Sequence, residues 1–392
     1  MNHLKPLQTN ERILSLDVIR GMSLLGIFLV NILSFHSPIM YTNPYEWWDY
    51  GDSKVFRWID ILVQGSFYPL FAMMFGMGLY MLYERSIKRG VPFYSIATRR
   101  LLMMLLIGIL HVTFVWFGDI LITYALIGLF TILFIKVSPK ALLWTSGLLF
   151  FLINGLLFVS LYGVSLVNPY KVTIWTDIEN VKQSIEVYTT GSFMEITRQR
   201  WMDWYYVNGP QSIIMLVSTI FPFMLFGAAV GKYRWVEKVV EWRTHWGITS
   251  IICMTIGFLL KMTPYVFEGN YVWMYVQDIF GGPILAIGYG AFIVWMVSFK
   301  PIHRFGHPFA ATGKMSLTNY LTQSIVSSII FYSYGLGLYG NVSLSTCVFI
   351  VISIYLMQVV ASEWWLWKFQ RGPMEWLWRL VTYRQRIPLK KG

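Results

Sequence analysis

Ten apolar stretches, each close to the length that crosses a lipid bilayer, constrain this chain more than any other feature. A spanning helix needs about 20 mostly apolar residues. The stretches cover residues 16–35, 57–82, 101–117, 120–135, 141–163, 211–231, 246–263, 271–298, 316–336 and 342–362. The third and fourth are short and only Gly118 and Asp119 separate them, so we expect a tight hairpin there. The pattern predicts an all-α polytopic membrane protein of about ten transmembrane helices.

The distribution of basic residues supports this number of spans and sets the orientation. The chain has 31 Lys and Arg residues against 19 Asp and Glu residues, a net charge of +12. With the N-terminus inside, every inner segment is basic and most of the cations lie in these segments. Because Lys and Arg accumulate in cytoplasmic loops, both termini are predicted to be cytoplasmic. We therefore attribute the positive charge to topology and expect no nucleic-acid partner.

The composition excludes the other common classes of protein. Hydrophobic residues make up 56% of the chain and charged residues only 13%, against about 25% in soluble domains. So much apolar surface rules out a disordered chain, a fibrous repeat, a disulfide scaffold and an ordinary cytosolic enzyme. Cys253 and Cys347 lie in apolar stretches and no Cys/His cluster has zinc spacing, so we predict neither a disulfide nor a metal site.

The spans divide the chain into five parts. Residues 1–15 form a cytoplasmic N-terminus, 16–163 a first bundle of five helices, and 211–362 a second bundle of five. Residues 164–210 form an extracytoplasmic segment, whose later part is either an amphipathic helix in the interface or a solvated loop. The basic, Trp-rich tail 363–392 is expected at the inner headgroup surface, because indole rings and cations both suit that depth.

The first span contains an ion pair where charge is expensive. Asp17 and Arg20 are three residues apart, on one helical face near the inner end, and Gly21 follows them. Charges within a bilayer are costly, so such groups are functional candidates. The pair either fixes helix packing or forms part of an anion site that faces the cytosol. Asn31 adds a buried amide further along, and His36 ends the helix.

A second candidate lies in the third span. Arg99 and Arg100 mark its inner end, and His111 follows about 16 Å further along the helix, near the midplane. Histidine titrates near neutral pH and can act as a base, a proton relay or a nucleophile. Asp119 comes two turns later, on nearly the same face of a continuous helix. His111 is either a functional group oriented by Asp119 or a structural histidine.

A third candidate is the polar stripe at the start of the ninth span. Lys314 lies at the inner boundary, and Ser316, Asn319 and Gln323 recur at helical spacing. The stripe either lines a polar cavity or bonds neighbouring helices to one another. In the eighth span, Asp278 precedes two glycines and a proline, which predicts a kinked or unwound stretch.

Short motifs along most of the chain resemble those of the DUF418 family, also called the YeiB-like family, of bacterial inner-membrane proteins. They are Leu16-Asp17-x-x-Arg20-Gly21, Phe67-x-Pro69-Leu70-Phe71, Phe75-Gly76-x-Gly78, Arg99-Arg100-Leu101, Gly108-x-x-His111, Gly118-Asp119-Ile120-Leu121, Met315-x-Leu317-Thr318-Asn319-Tyr320-x-x-Gln323-Ser324 and Gly372-Pro373-x-Glu375-Trp376-x-Trp378-Arg379. The resemblance implies a multi-pass protein of the bacterial plasma membrane, for which transport is one suggested activity.

The first of these motifs and the Phe67-x-Pro69 segment also look like those of transmembrane acyltransferases. Those enzymes take an acyl group from cytosolic acyl-CoA and place it on a sugar or related acceptor at the far side, using a histidine within the membrane. Lysosomal members carry that histidine in the loop after the first helix. Here only His36 lies near that place, with a different local sequence. Assigning the role to His111 is our own inference, and His36 is the other candidate.

The first functional hypothesis is a membrane-embedded acyltransferase with acyl-CoA as co-substrate and no tightly bound cofactor. His111, oriented by Asp119, would act as general base or accept the acyl group. The cations among the substrate-binding residues would face the phosphates of CoA, and the amides would donate to the oxyanion. The residues expected to bind substrate are Asp17, Arg20, Asn31, Arg99, Arg100, Lys314, Asn319 and Gln323.

The second hypothesis is a transporter of a small anion or metabolite. His111 and Asp119 would relay protons, and helices kinked near Pro69, Pro222 and Pro283 would alternate access. A non-catalytic membrane scaffold ranks third, because it leaves the intramembrane polar groups without a role. For the first two hypotheses the expected partners are membrane lipids and a small-molecule substrate, and the oligomeric state stays open.

Overall fold

The computed structural model describes residues 13–267, 269–299, 305–385 and 388–391, and the regular structure in these ranges is helical. Residues 1–12 of the predicted N-terminal segment lie outside them. A π-helical turn, Val276–Gly281, joins the helix Tyr271–Tyr275 to the helix Gly282–Val297. We number the α-helices in chain order as α1 (Leu14–His36), α2 (Tyr50–Leu62), α3 (Phe67–Lys88), α4 (Phe93–Phe114), α5 (Leu121–Thr131), α6 (Pro139–Val167), α7 (Ile178–Thr190), α8 (Phe193–Asn208), α9 (Ile213–Tyr233), α10 (Arg243–Lys261), α11 (Thr263–Val266), α12 (Tyr271–Tyr275), α13 (Gly282–Val297), α14 (His307–Lys314), α15 (Ser316–Phe331), α16 (Leu344–Lys368) and α17 (Pro373–Tyr383).

Each of the ten predicted spans coincides with at least one of these helices. In the described ranges, seven helical segments are long and apolar enough to cross a membrane, and α5 with the turn after it is a shorter apolar helix. α10 and α15 coincide with the remaining two predicted spans, 246–263 and 316–336. The seven are Leu14–His36, Tyr50–Lys88, Phe93–Phe114, Pro139–Val167, Ile213–Tyr233, Tyr271–Val297 and Leu344–Lys368. The chain is therefore an all-α polytopic membrane protein, which confirms the prediction from the apolar pattern.

Large apolar side chains cover the outside of the bundle, as a lipid-facing surface requires. On α6, Trp144, Leu148, Phe151 and Leu156 are 62–72% exposed. Only 11% of the most apolar part of α6 is buried against the rest of the protein. In water such an exterior would promote aggregation, whereas hydrocarbon chains cover it in a bilayer.

The second predicted span, 57–82, is broken rather than continuous. α2 ends at Leu62 and α3 begins at Phe67, and between them Gly65 has a left-handed conformation with φ +72°. A side chain on Gly65 would press on the backbone of Asp278, which lies in the π-helical turn. The break thus packs on the irregular stretch that was predicted around Asp278, and that stretch is π-helical rather than unwound.

Glycines bring two pairs of helices into backbone contact. A Cβ on Gly76 of α3 would collide with the carbonyl of Met224 in α9, and a Cβ on Gly227 of α9 would collide with the carbonyl of Met73 in α3. Small residues allow membrane helices to approach this closely, and van der Waals contact then holds them together in lipid.

α1 and α14 meet in the same way. Gly21 lies against the carbonyl of Phe309, and Gly313 lies against the carbonyl of Asp17. A larger residue at either glycine would separate the two helices. The contact therefore sets the distance between the charged side chains that neighbour these glycines at the inner end of the bundle, which is the end that carries the basic loops.

The segment 164–210 forms two helices, α7 and α8, which pack on the outer end of the bundle and which we call the outer lid. Ser192 and Glu195 form a capping box that begins α8. Ile196, on the buried face of α8, is fully enclosed, and so is Tyr188 on α7. Of the two alternatives for this segment the structure has the helix, and its buried face packs on protein.

Asp203 holds the outer lid to the bundle through hydrogen bonds. Its carboxylate accepts from the Tyr41 hydroxyl at 2.7 Å, the Tyr188 hydroxyl at 2.6 Å and the Gln199 amide at 2.7 Å. Burial nevertheless raises the pKa of Asp203 from its ordinary 3.8 to about 6, because the charged form loses its hydration. This contact therefore titrates under mildly acidic conditions.

Arg200 fastens the outer lid to α4. Its side chain is fully enclosed, and Nη1 donates to the carbonyl of Thr113, 2.8 Å away, at the outer end of α4. The guanidinium also lies 5.1 Å from the ring centre of Phe193. The last carbonyls of a helix carry the negative end of its dipole, which stabilises a cation placed there.

Candidate functional site

A cavity of about 240 Å³ opens at the inner end of the bundle, between α1, α3, α4, α14, α15 and α17. We call it the basic cavity. Further from the inner end its wall becomes apolar, with residues such as Ile27, Phe71 and Met104. The excess of positive charge suits an anionic ligand. The charged side chains that line it are Arg20, Arg85, Arg100, Lys314, Arg379, Asp17 and Glu375.

Three of the predicted residues meet where α1 contacts α14. Arg20 Nη1 lies 3.0 Å from Asp17 Oδ1, so the two form the expected ion pair. Lys314, at the end of α14, lines the same cavity, because Gly21 and Gly313 bring the two helices together. The structure thus places Asp17, Arg20 and Lys314 around one space.

Arg99 and Arg100 have different neighbours. α4 begins at Phe93, earlier than the predicted span 101–117, so both arginines lie within the helix. Arg100 lines the basic cavity, and its guanidinium lies 4.5 Å from the ring centre of Trp378. Arg99 instead donates from Nε to the carbonyl of Thr382 at 3.1 Å. Consecutive residues of a helix point about 100° apart, so only one of the pair reaches the cavity.

The C-terminal tail forms one wall of the basic cavity. In α17, Trp378 donates from Nε1 to the carbonyl of Arg100 at 2.8 Å. Glu375 accepts from the backbone N–H groups of Leu317 and Thr318 at 2.7 and 3.0 Å, and so caps the start of α15. Burial raises the pKa of Glu375 above its ordinary value. The tail is therefore anchored by buried polar contacts.

His111 and Asp119 form an enclosed pair, with Nδ1 2.9 Å from Oδ2. They do not share a continuous helix, because α4 ends at Phe114 and the following turn brings Asp119 back beside His111. The other carboxylate oxygen accepts from the N–H of Ile122 at 2.8 Å, near the start of α5. Gly108 leaves room for this carboxylate, since a Cβ there would lie 2.7 Å from Oδ1.

The contact with Asp119 favours one tautomer of a neutral His111. A carboxylate can only accept, so beside it Nδ1 would donate and Nε2 would keep a lone pair. Nε2 is buried, and no residue in the described ranges forms a hydrogen bond with it. A histidine held in this tautomer by a carboxylate is the arrangement that general bases of acyl transfer use.

Tyr320 separates His111 from the basic cavity. Its ring lines the cavity and lies 5.3 Å from the His111 ring, centre to centre. His111 is not among the described residues that line the cavity, whereas Ile120, next to Asp119, is. The space therefore ends about one side chain away from the buried pair.

His36 has a different environment at the outer end of α1. Its ring lies 5.6 Å from that of Trp48 and 6.1 Å from that of Phe331, centre to centre. Neither ring nitrogen has a hydrogen-bond partner within the described part of the chain. Of the two candidate histidines, His111 is the one that a carboxylate orients.

Asn31, Asn319 and Gln323 lie outside the basic cavity. Asn319 Nδ2 donates to Ser362 Oγ at 3.0 Å, and Gln323 Nε2 donates to Gln358 Oε1 at 2.8 Å. Asn319 and Gln323 of the polar stripe thus bond to α16, which is the second of the alternatives that the sequence left open, whereas Ser316 lines the basic cavity and fits the first. Asn31 is half-buried on α1, further outward than any α1 residue of the cavity wall.

Known proteins resemble this chain along its whole length. A family model described as "Protein of unknown function (DUF418)" matches residues 230–385. The chain is 33% identical to "Uncharacterized protein YxaH" of Bacillus subtilis (strain 168), over 100% of this chain and 99% of that protein. The chain belongs to the DUF418 family. It is also 28% identical to "Uncharacterized protein YeiB" of Escherichia coli (strain K12), over 96% of this chain and 98% of that protein. The family predicted from the motifs is confirmed.

The basic cavity of this DUF418 protein includes charged residues that the sequence did not single out as a site. Arg85, Arg379 and Glu375 line it beside the predicted residues. The two arginines resemble ordinary cations of inner segments, where Lys and Arg are common. The one sequence signal was the tail motif that contains Glu375, Trp378 and Arg379, which gives no indication of where the tail packs.

A second buried polar cluster lies near the outer end of the DUF418 bundle, beside the π-helical turn. Lys261 is fully buried, and its Nζ lies 3.2 Å from Asp278 Oδ1. Asp60 accepts from the Tyr265 hydroxyl and the Gln277 amide, each at 2.6 Å. The amide of Gln277 also donates to the Lys261 carbonyl, which joins the two parts of the cluster.

Proposed function

We propose that this protein is an acyltransferase of the bacterial plasma membrane. It takes an acyl group from cytosolic acyl-CoA and passes it to an extracytoplasmic or lipid-linked acceptor. One observation carries the proposal. The basic cavity opens at the inner end of the bundle and ends about one side chain away from the pair of His111 and Asp119.

The charges of the cavity match the donor. CoA carries several phosphate groups, and guanidinium groups bind phosphate through paired, charge-assisted hydrogen bonds. Arg20, Arg85, Arg100 and Arg379 supply such groups at the cytosolic side, where CoA is found. The enclosed volume, about 240 Å³, lies near the lower limit of small-molecule sites, about 300 Å³. It therefore accommodates the thioester end of the donor, with the nucleotide at the mouth.

His111 acts as the general base in this proposal. Once the Tyr320 ring that separates it from the cavity has moved aside, Nε2 removes the proton from an acceptor hydroxyl or amine while that group attacks the thioester carbonyl. The new bond to the acyl carbon forms, the C–S bond breaks, and the sulfur leaves with the proton that His111 returns. Asp119 keeps Nδ1 protonated and stabilises the transient imidazolium.

Tyr320 takes the role of oxyanion donor that the sequence assigned to amides. Asn319 and Gln323 donate to α16 and lie outside the cavity wall. The ring of Tyr320 lines the cavity and neighbours His111, and its hydroxyl donates a long hydrogen bond, 3.4 Å, to the Gly118 carbonyl. Released from Gly118, this hydroxyl would stabilise negative charge on the carbonyl oxygen as the acceptor attacks.

Thiol release from acyl-CoA by the purified protein tests the proposal, with water as acceptor. A general base contributes about 10²–10⁴-fold, so His111→Gln should lower the rate by about that factor. Acyl-CoA affinity, measured by calorimetry, should stay close to that of the original protein, because His111 does not line the cavity. His36→Gln is the matched control and should keep its activity. Failure of the original protein to bind acyl-CoA, or loss of activity in the His36 variant alone, contradicts the proposal.

Transport of a small anion is the second candidate, and the cluster of Lys261, Asp278 and Asp60 favours it. Buried charges beside an irregular helix are typical of coupling sites in transporters. Proteoliposomes distinguish the two functions. Uptake of labelled small anions driven by a pH gradient, without thioester turnover, supports a transporter. Turnover of acyl-CoA without net uptake supports the enzyme.

A further inference from the structure

A second cavity, of about 310 Å³, lies between α1, α3, α9, α10 and α13, and we call it the apolar cavity. Three methionines of α3, Met73, Met74 and Met77, form one wall, and the opposite wall is the small-residue face of α13 with Gly290 and Ala291. Methionine is flexible and fills irregular apolar space, so this wall adapts to the shape of an apolar ligand. The volume falls within the range of small-ligand sites, about 300–1,000 Å³.

The few polar groups of the apolar cavity lie at its inner end. Trp242 and His245 are exposed there, in the first turn of α10 and just before it. Aromatic side chains with a polar edge prefer the level of the lipid headgroups. Trp246 also lines the cavity, and its Nε1 is buried without a hydrogen-bond partner among the described residues. A buried donor of this kind costs free energy unless an acceptor reaches it.

The apolar cavity is separate from the basic cavity but adjacent to it. Leu16 of α1 and Met74 of α3 line both spaces and form the partition between them. Asp17 lines only the basic cavity, and no Lys, Arg, Asp or Glu of the described residues lines the apolar one. A ligand of the apolar cavity therefore needs no negative charge within it and does not have to pass the arginines.

We propose that the apolar cavity binds one acyl chain of an inner-leaflet phospholipid, whose ester carbonyl accepts a hydrogen bond from Trp246 Nε1. The chain lies between α3 and α13, and the headgroup stays outside beside Trp242 and His245. The chain fills a space that would otherwise leave its walls without packing partners. A helix with its side chains is about 10 Å or more across, which a space of about 310 Å³ cannot hold. This site goes beyond the proposed acyltransferase activity.

Photolabelling tests the site with phosphatidylglycerol that carries a diazirine on one acyl chain, incorporated into nanodiscs with the full-length protein. Mass spectrometry should find label on peptides of α3, α10 and α13 that face the cavity. Ala291→Phe fills the space from its wall, and Thr249→Trp blocks it nearer the mouth. Each should lower this label to the level of the lipid-facing surface of α6. If Ala291→Phe does not fold, the labelling of Thr249→Trp alone tests whether the chain enters the cavity.

Gly78→Leu is the matched control, because a Cβ on Gly78 meets nothing within 4 Å and the residue lines only the basic cavity. It should leave the lipid label unchanged. Trp246→Phe keeps the ring and removes the donor. It should weaken labelling about fivefold, the equivalent of one hydrogen bond of about 1 kcal/mol.

Two results would overturn the proposal. Equal labelling in the original protein and in folded variants with a filled cavity would show that no chain enters it. Displacement of the label by excess acyl-CoA, abolished in Gly78→Leu, would assign the space to the acyl chain of the donor instead. Since the label is read without acyl-CoA turnover, its failure and a failure of the acyltransferase proposal are distinguishable.

Discussion

The two ends of the bundle are held together by different means. At the inner end, α1 and α14 touch backbone to backbone at Gly21 and Gly313, and the charged side chains beside these glycines line an open cavity. At the outer end, large side chains such as Tyr188 and Arg200 make the contact, and they are fully enclosed. At the inner end the glycines make the contact between helices, and the charged side chains beside them line the cavity. At the outer end the charged side chain of Arg200 is itself part of the packing.

Two arginines near the ends of α4 show the same contrast. Arg100 lies against the ring of Trp378 and lines the basic cavity. Arg200 reaches the opposite end of α4, where it donates to the carbonyl of Thr113, two residues beyond His111. The inner arginine lines an open cavity, and the outer one anchors the outer lid to the end of α4. The predictions below separate these roles.

The largest effect is expected from Gly21→Leu. The new side chain would meet the carbonyl of Phe309 and force α1 away from α14, which should destabilise the protein by about 3 kcal/mol or more. Gly78→Leu is the control, since a side chain there meets open space and Leu favours helix over Gly. Thermal unfolding in detergent should show a lower midpoint for the first variant and an equal or higher one for the second. Equal midpoints would mean that glycine contact does not hold the inner end.

The second effect is a pH dependence confined to the outer lid. Because burial raises the pKa of Asp203 to about 6, the folded lid binds a proton that the unfolded chain releases near pH 4. Its stability should therefore be highest below about pH 4 and fall as the pH rises to about 6, by about 3 kcal/mol for a shift of two pKa units. Hydrogen exchange of α7 and α8 between pH 4 and 7, corrected for intrinsic rates, measures this.

Asp203→Asn isolates the titrating group. The amide keeps an acceptor oxygen for Tyr41 or Tyr188 but carries no ionisable proton. Its lid should show a flat stability over the same pH range, while the inner helices behave alike in both proteins. A lid whose exchange depends on pH equally in both proteins would remove Asp203 as the cause.

The third prediction concerns the affinity for acyl-CoA and compares variants of two neighbouring arginines. Arg100→Met removes a cation of the basic cavity and should weaken acyl-CoA binding about tenfold or more, as loss of a charged hydrogen bond of about 1.5–3 kcal/mol implies. Arg99→Met should leave the affinity nearly unchanged and lower stability instead, because Arg99 bonds the tail at Thr382. Calorimetry of acyl-CoA binding at two salt concentrations distinguishes the two variants. An equal loss for both variants would indicate long-range charge rather than a site.

The sequence predicted the all-α polytopic class correctly because the length of an apolar stretch is a local property. It missed the break around Gly65 although residues 63–66 read Val-Gln-Gly-Ser, because a short uncharged stretch of this kind is also tolerated inside a continuous spanning helix. It also missed that the tail is anchored on the bundle. A segment rich in tryptophan and arginine has the same composition whether it lies on a membrane surface or packs on a neighbouring helix. Only the partner atoms, such as the Arg100 carbonyl, distinguish the two arrangements.

The candidate site was predicted in part for a similar reason. Helical spacing shows which residues share a face but not what that face meets. Asn319 and Gln323 do share a face, yet the face bonds α16 rather than a cavity. His111 and Asp119 do lie together, yet through a turn instead of along a helix. Backbone contacts as close as that at Gly21 depend on the packing of helices far apart in sequence, which no local pattern contains.

The smallest effect should come from the two glutamates that cap helices, one at each end of the bundle. Glu375 is buried and accepts from Leu317, Thr318 and the Thr318 hydroxyl, so Glu375→Gln should cost about 1 kcal/mol and loosen α17. Glu195 performs the same task for α8 but is exposed, and water can replace its hydrogen bond to the Ser192 N–H. Glu195→Gln should therefore cost less. Hydrogen exchange of the backbone amides in the tail and in the outer lid compares the two variants. A larger effect of Glu195→Gln, at the exposed cap, would contradict the view that buried polar contacts anchor the tail.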